Sequence, residues 1–306
     1  MHRLSGIIRI NLILVVVRLG CQALPGADPS PQGDLPVLKT DGTQYVIVQH
    51  KGLDAEWLLR LPEVVATNDV YYMVWERIAV EWNRYGNGEI GYEWKPSPDW
   101  LQRAQRYTEI VRLPVRSGLG VAVRMRPSLK RIDLSIALTN FTDKLLEDVW
   151  LEGGCFAAHS QRFFDDDASH SYIKTAQGLT QLSQTDRSQK VRCRYAFEPK
   201  WYDMQIFKTM EWFWGRSAVR PTSAFVAALA TDERGAVGIG YDHARAVWQN
   251  SDSEHHCMHS EPYFGSLQPG QTVMRCGVIL FGRTVPELFK RFEALGYRPD
   301  RTPPSK

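Results

Sequence analysis

Seven consecutive residues, His255-His256-Cys257-Met258-His259-Ser260-Glu261, carry three histidines, a thiol and a carboxylate. Histidine and glutamate are the usual proton-transfer groups near neutral pH, and His, Cys and Glu all bind metals. On an extended strand Cys257, His259 and Glu261 share one face, while His256 and Met258 take the other. A zinc centre needs three or four converging ligands, and no CxxC or HExxH spacing supplies them. Neither a metal nor another cofactor is therefore expected. Acid–base use of His259 or Glu261 stands beside the plainer reading, polarity at a strand end.

Two further polar clusters could do chemistry. His159, Arg162, Asp165, Asp166, Asp167 and His170 form an acidic stretch. Three adjacent aspartates lack the alternating spacing of a calcium loop, so a solvated loop is expected. Trp201-Tyr202-Asp203, with Glu211, Trp212, Trp214 and Arg216, could make a sugar platform. An aromatic face accepts a sugar's C–H groups, and the acids and the arginine take its hydroxyls. Core packing accounts for some of these rings equally well.

Strands must position these groups. Ile132, Leu134, Ile136 and Leu138 alternate with Asp133, Ser135, Ala137 and Thr139, the period of a strand with one buried face. Val121, Val123 and Met125 alternate just before them, so the two segments read as a hairpin or close neighbours. Further strands are expected at Tyr45–Gln49, Val149–Ala157, Val191–Phe197, Phe225–Thr231, Ala236–Tyr241, Ala246–Gln249 and Val273–Phe281. Nothing alternates strand with helix as a parallel α/β sheet requires. Thr284-Val285-Pro286-Glu287 is a capping box, followed by Leu288, Phe289, Phe292 and Leu295 at helical spacing and by Gly296 as a stop. A weaker helix is expected from Asp99 to about Arg106. The expected fold is all-β, a large antiparallel β-sandwich with a C-terminal capping helix, in a single domain over residues 41–306.

The first 23 residues read as an export signal, with Arg3 and Arg9 before an apolar core at Ile10 to Val17 and small residues at Cys21-Gln22-Ala23. The apolar run falls far short of the ~20 residues of a membrane-spanning helix. Export to the periplasm or beyond is expected, with a lipid anchor at Cys21 as the minor alternative, and residues 24–40 read as a flexible leader. Arg3, Arg9 and Arg18 account for the formal net charge of +3. The remaining chain is near neutral, which argues against a nucleic-acid partner or an anionic membrane surface. Cys155, Cys193, Cys257 and Cys276 could form two disulfides or be buried thiols.

Ile132 to Asp143, ending in Thr139-Asn140-Phe141-Thr142-Asp143, resembles the "strand, then T-N-x-[ST]-D" element of the galactose mutarotase-like (aldose 1-epimerase-like) β-supersandwich family. His159-Ser160-Gln161-Arg162-Phe163 stands where that family has a histidine motif. Glu261-Pro262 precedes Leu267-Gln268-Pro269-Gly270-Gln271 as the family's catalytic glutamate precedes a Pro-Gly turn. The overall pattern is also similar to that of exported bacterial proteins. The resemblance covers about residues 120–282 and implies a supersandwich fold and a carbohydrate partner. It also implies His159 as the acid and Glu261 as the base that interconvert the anomers of an aldose. The family's catalytic aspartate has no clear counterpart.

Three function classes follow. A sugar epimerase, lyase or glycoside hydrolase would use His159, Glu261 and His259, with Asp203 or Glu211 as a further acid. A non-catalytic sugar-binding module would use the tryptophans and need no acid–base pair. A structural or assembly protein would use a sheet face.

Overall fold

Leu119–Ser128 and Arg131–Asn140 form the expected hairpin, in unbroken antiparallel register from Leu119↔Asn140 to Ser128↔Arg131. Its turn holds Lys130 in the left-handed region, at φ 55°. The apolar members of both strands point to one side and are buried. The hairpin belongs to a computed structural model that describes residues 34–67, 71–73, 80–94, 118–189, 191–204, 208, 215–252 and 255–305.

Those residues make two large sheets. The smaller runs in the order Gly178–Gln181, Ser171–Thr175, Phe225–Leu229, Ala236–Tyr241, Thr272–Gly282, Arg131–Asn140, Leu119–Ser128, Ile90–Trp94, Asn83–Arg84. The larger begins Val37–Thr40, Tyr45–His50, Ala55–Arg60, Cys155–Ala158, His255–Leu267, Leu146–Glu152, Val64–Ala66, Tyr71–Met73. Ala244–Asp252 branches from His255–Leu267 and carries Arg192–Ala196, which in turn carries Gly215–Arg216. Among the strand pairings of the described residues only this last is parallel; an isolated parallel bridge joins Ala244 to Pro299.

The core fills the space between the sheets. From the larger sheet it takes Trp57, Leu59, Val149, Leu151, Phe156, Tyr195, Val247, Met258 and Phe264. Alternation sends the residues between them to the opposite face, where Val64, Ala66, Trp150, Ala196, Trp201, Ala246, Trp248 and Tyr263 form a separate cluster. This outward face carries the polar side chains described below.

The C-terminal helix α1 spans Val285–Ala294. Thr284 caps it by accepting a hydrogen bond from the Glu287 amide at 3.4 Å. Phe292 stacks on Phe225 at 4.7 Å between ring centroids, so the helix covers the smaller sheet. The short helix expected at Asp99 to Arg106 lies outside the described residues.

Two boundaries differ from the sequence reading. Val149–Ala157 is not one strand: Leu146–Glu152 and Cys155–Ala158 are separated by Gly153 and Gly154. A Cβ on Gly153 would lie 2.5 Å from the Ser260 carbonyl oxygen and 2.7 Å from the Tyr241 ring, and Gly154 sits at φ 115°. The chain therefore kinks where only glycine fits, and the two strands run on along the same side of strand His255–Leu267, with Val149 opposite Gly265 before the kink and Phe156 opposite Met258 after it. Val37–Thr40, at the end of the segment read as a leader, pairs with residues 46–49 as an edge strand. The prolines of that segment stop at Pro36, and the residues after it have free amides for pairing.

The two motifs that carry the family resemblance meet. Buried Asn140 donates through Nδ2 to the carbonyls of Lys144 (2.7 Å) and Leu267 (2.9 Å), and its Oδ1 accepts from the Thr142 amide at 2.9 Å. Its backbone bonds both Gly270 and Gln271. The T-N-x-T-D element therefore clamps the Pro-Gly turn, which makes it a structural device.

Candidate functional site on the outward face of the larger sheet

One row of paired residues crosses the outward face. Arg216 pairs with Arg194, Arg194 with Trp248, and Trp248 with His259. Continuing the Phe156↔Met258 pairing by one residue sets Cys155 opposite His259, and Cys155 pairs with Arg60. Paired residues share a face, so six strands contribute to one line. The Trp248 and His259 rings stack with centroids 3.6 Å apart and planes at 12°.

Glu261 lies one row along, opposite Ala246. The ladder holds Ala244 opposite Pro262 and Ala246 opposite Glu261, so Arg245 is an extra residue in a bulge. A bulge re-aims its side chain, and Arg245 joins the outward face although strict alternation would send it to the core. Its guanidinium stacks 3.5 Å above the Trp150 ring and 5.1 Å from that of Trp201. Arg245 Nη2 reaches Glu261 Oε2 at 2.6 Å, while Arg194 Nε donates to Glu261 Oε1 at 2.7 Å. Arg194 also bonds Glu152 through Nη2. All four charged groups are buried. Burial pushes the Glu152 carboxyl up to about 7, against the opposing pull of Arg194.

A thiol–imidazole cluster adjoins them. Cys155 Sγ lies 2.8 Å from His255 Nε2, and Cys257 Sγ lies 3.0 Å from His259 Nε2. Glu63 Oε2 stands 3.5 Å from His259 Nδ1. Burial would raise the Cys257 pKa, but the hydrogen bond from Cys155 and the charges of His259 and His255 outweigh it and hold the thiol well below its ordinary value. Cys155 is driven the other way by burial and by its Cys257 neighbour. Burial likewise raises Glu63, with His259 opposing. For His259, burial is outweighed by Cys257, Glu63 and Glu152, and its pKa rises. Cys155, Cys193 and Cys257 are free thiols.

The residues singled out from sequence fall in three places. Glu261 and His259 are on the outward face and buried. His159 is on the surface beyond strand Cys155–Ala158, its Nδ1 3.6 Å from Glu56 Oε1. The ladder sets position 159 level with 255, six residues or roughly 20 Å from Glu261 at ~3.3 Å per residue. Trp201 is buried on the short 3-10 turn Pro199–Asp203, while Asp203 and Arg216 are exposed. Tyr202 Oη and the Ser217 amide both donate to the Arg194 carbonyl, at 2.7 and 3.1 Å, so Asp203 and Arg216 belong to one end of the face. Glu211, Trp212 and Trp214 lie outside the described residues. His256 belongs to the other face, stacked on Phe164 at 4.5 Å.

Glu63, Glu152, Arg194 and Arg245 escaped the sequence reading. Their signal was present: Arg194 sits between Cys193 and Tyr195, and Glu152 ends an apolar run. A lone charge inside an apolar strand needs a buried partner.

No protein-family model matches the chain, and no curated protein does. Solved structures similar to it include a galactose mutarotase related enzyme from Lactobacillus acidophilus, at 10% identity and TM-score 0.43, covering 82% of this chain and 98% of that one. A galactose mutarotase-like protein from Lactobacillus casei is similar at 6% identity and TM-score 0.45, over 81% of this chain and all of that one (100%). An alpha-N-acetylgalactosaminidase from Bifidobacterium bifidum is similar at 10% identity and TM-score 0.48, over 87% of this chain and 38% of that one.

Proposed function

We propose that the protein binds carbohydrate at the Arg194–Arg216 end of the outward face, and binds it without acid–base chemistry at Glu261. The supporting observation is the make-up of that end. Exposed Asp203 and Arg216 and half-buried Tyr202 stand at that end, on the strands and turn that also carry buried Arg194, Trp201 and Trp248. Charged groups beside aromatic rings suit a ligand dense in hydroxyls with apolar C–H faces. The Trp201 indole N–H is buried and has no acceptor among the described residues. The sequence resemblance to the mutarotase-like family points to the same ligand class.

Catalysis by Glu261 fits less well. Both its oxygens face guanidinium groups, it has no exposure to solvent, and His159 stands far along the ladder. A general base must reach the proton that it removes. The reading includes export, on the strength of the signal-like first 23 residues. A glycan array probed with the whole protein, followed by an anomer-interconversion assay on each hit, tests both halves. Binding without turnover is expected. Absence of any glycan ligand contradicts the binding half. Turnover that Glu261→Gln abolishes in a folded protein contradicts the other.

A further inference from the structure

The four side chains Cys155, His255, Cys257 and His259 are more than a polar corner. Positions 255, 257 and 259 alternate onto one face of strand His255–Leu267, and Cys155 comes to them from the neighbouring strand. The ligand atoms of Cys155, His255 and Cys257 all lie within 4.8 Å of one another. His259 Nε2 is 3.0 Å from Cys257 Sγ. We propose that these residues form a structural zinc-type site, with Cys155, Cys257 and His255 as ligands and His259 Nε2 as the fourth.

Two thiolates and two imidazoles are a common donor set for a closed tetrahedral zinc centre. With Zn–S near 2.3 Å and Zn–N near 2.0–2.1 Å, such a centre separates neighbouring ligand atoms by about 3.3–3.8 Å. The sulfur–nitrogen contacts of 2.8 and 3.0 Å need to open by roughly 0.5–0.8 Å, and His259, which groups within 4.8 Å with Cys155 and Glu63, needs to close on His255. Glu63 supplies an independent indication. Its carboxylate faces His259 Nδ1 at 3.5 Å, on the far side of the ring from Cys257. A carboxylate behind the ring favours the tautomer with hydrogen on Nδ1 and leaves the Nε2 lone pair for a metal, the usual outer partner of a metal-bound histidine. Metal binding needs both sulfurs as thiolates and both imidazoles neutral, so any proton held on them would be released to solvent.

Two rival readings fit the geometry less well. Cys155 and Cys257 are diagonal partners, since Cys155 stands opposite His259. Diagonal positions hold Cα atoms about 7–8 Å apart, beyond the reach of an unstrained disulfide. Cys257–His259–Glu63 has the order of a nucleophile, its base and an orienting acid. Cys257 is only 3% exposed, however, and Cys155 packs against it, so no substrate carbonyl could approach. Burial suits a structural ion.

The site does not depend on the carbohydrate reading. The test is metal content and cobalt spectroscopy on the whole protein, purified under reducing conditions. About one zinc per chain is expected. Exchange to cobalt(II) should give the intense ligand-field bands of a tetrahedral site and a thiolate charge-transfer band. Cys155→Ser should weaken the charge-transfer band, and His255→Gln, at a half-buried position, should weaken cobalt affinity at least tenfold. Zinc should raise the Tm of the wild type and leave that of Cys155→Ser unmoved. A protein that binds no zinc or cobalt, a cobalt spectrum unchanged in both variants, or a Cys155–Cys257 disulfide found by mass spectrometry would each overturn the proposal.

Discussion

Arg194 reaches across the strand that carries Trp248 to donate to Glu261 at 2.7 Å, with both side chains buried. That contact makes Glu261 part of a charge network shared with Arg245 and Glu152. The network has a stability consequence. Removing one partner of a buried ion pair typically costs about 3–5 kcal/mol, because the other charge is left without compensation. Arg194→Met should therefore lower the unfolding free energy by about that amount in denaturant titrations. A loss below about 1 kcal/mol, the range of exposed pairs, would mean that water reaches these carboxylates.

The Asn140 clamp gives a second expectation. Asn140→Ala removes the side-chain bonds to Lys144, Thr142 and Leu267 and takes this donor from the buried Leu267 carbonyl. A cost of about 2–3 kcal/mol is expected, from bonds of about 1 kcal/mol each plus the unpaired groups. Sugar affinity should not change, because the clamp lies at the Pro-Gly turn, away from Arg216. Loss of ligand binding at unchanged stability would contradict a purely structural role.

Much of the fold was legible because strand alternation and the capping box are local signals. The faces of His255–Leu267 follow from a period of two, and Cys257, His259 and Glu261 do share one side. The partners were not legible. Cys155 opposite His259, and Glu152 within reach of Arg194, depend on register between strands some hundred and some forty residues apart in sequence. Arg245 was hidden for another reason: a bulge turns its side chain over, and no periodicity encodes that. His159 was chosen by its neighbours in sequence, and the ladder places it far from Glu261.

A pH-dependent tether joins the C-terminal segment to the turn after Tyr241. His243 Nδ1 lies 3.4 Å from Asp300 Oδ2, and the Arg298 carbonyl accepts from the His243 amide. The Asp300 hydrogen bond raises the His243 pKa above 6.5, against burial. Burial opposes the opposite shift of Asp300, but the bonds from His243 and Thr302 hold its carboxyl below 3.8. A raised histidine stabilises fully below its unfolded pKa and loses that contribution as pH rises through the folded value. The lowered aspartate stabilises above its unfolded pKa and loses that contribution as pH falls through the folded value. The tether should be strongest between the two and slacken on either side. NMR titration of the His243 ring should show a pKa above 6.5 that drops in Asp300→Asn. An unchanged value would remove Asp300 as the cause.

Export makes a prediction about the mature chain. Expression in a bacterial host with its native N-terminus should yield a secreted or periplasmic protein that begins at Leu24. Intact mass and N-terminal sequencing read this directly. A diacylglyceryl group on Cys21 would favour the lipid anchor, and retention of residues 1–23 on cytoplasmic protein would contradict export.

Carbohydrate binding at the Arg194–Arg216 end is the central claim, and Arg216 is its safest probe because the side chain is exposed. The decisive measurement is calorimetric titration of the best array ligand into wild-type protein and Arg216→Ala. A charged hydrogen bond is worth about 1.5–3 kcal/mol, so the variant should bind at least about tenfold more weakly while keeping its Tm. Equal affinity in the two proteins would contradict the placement of the site.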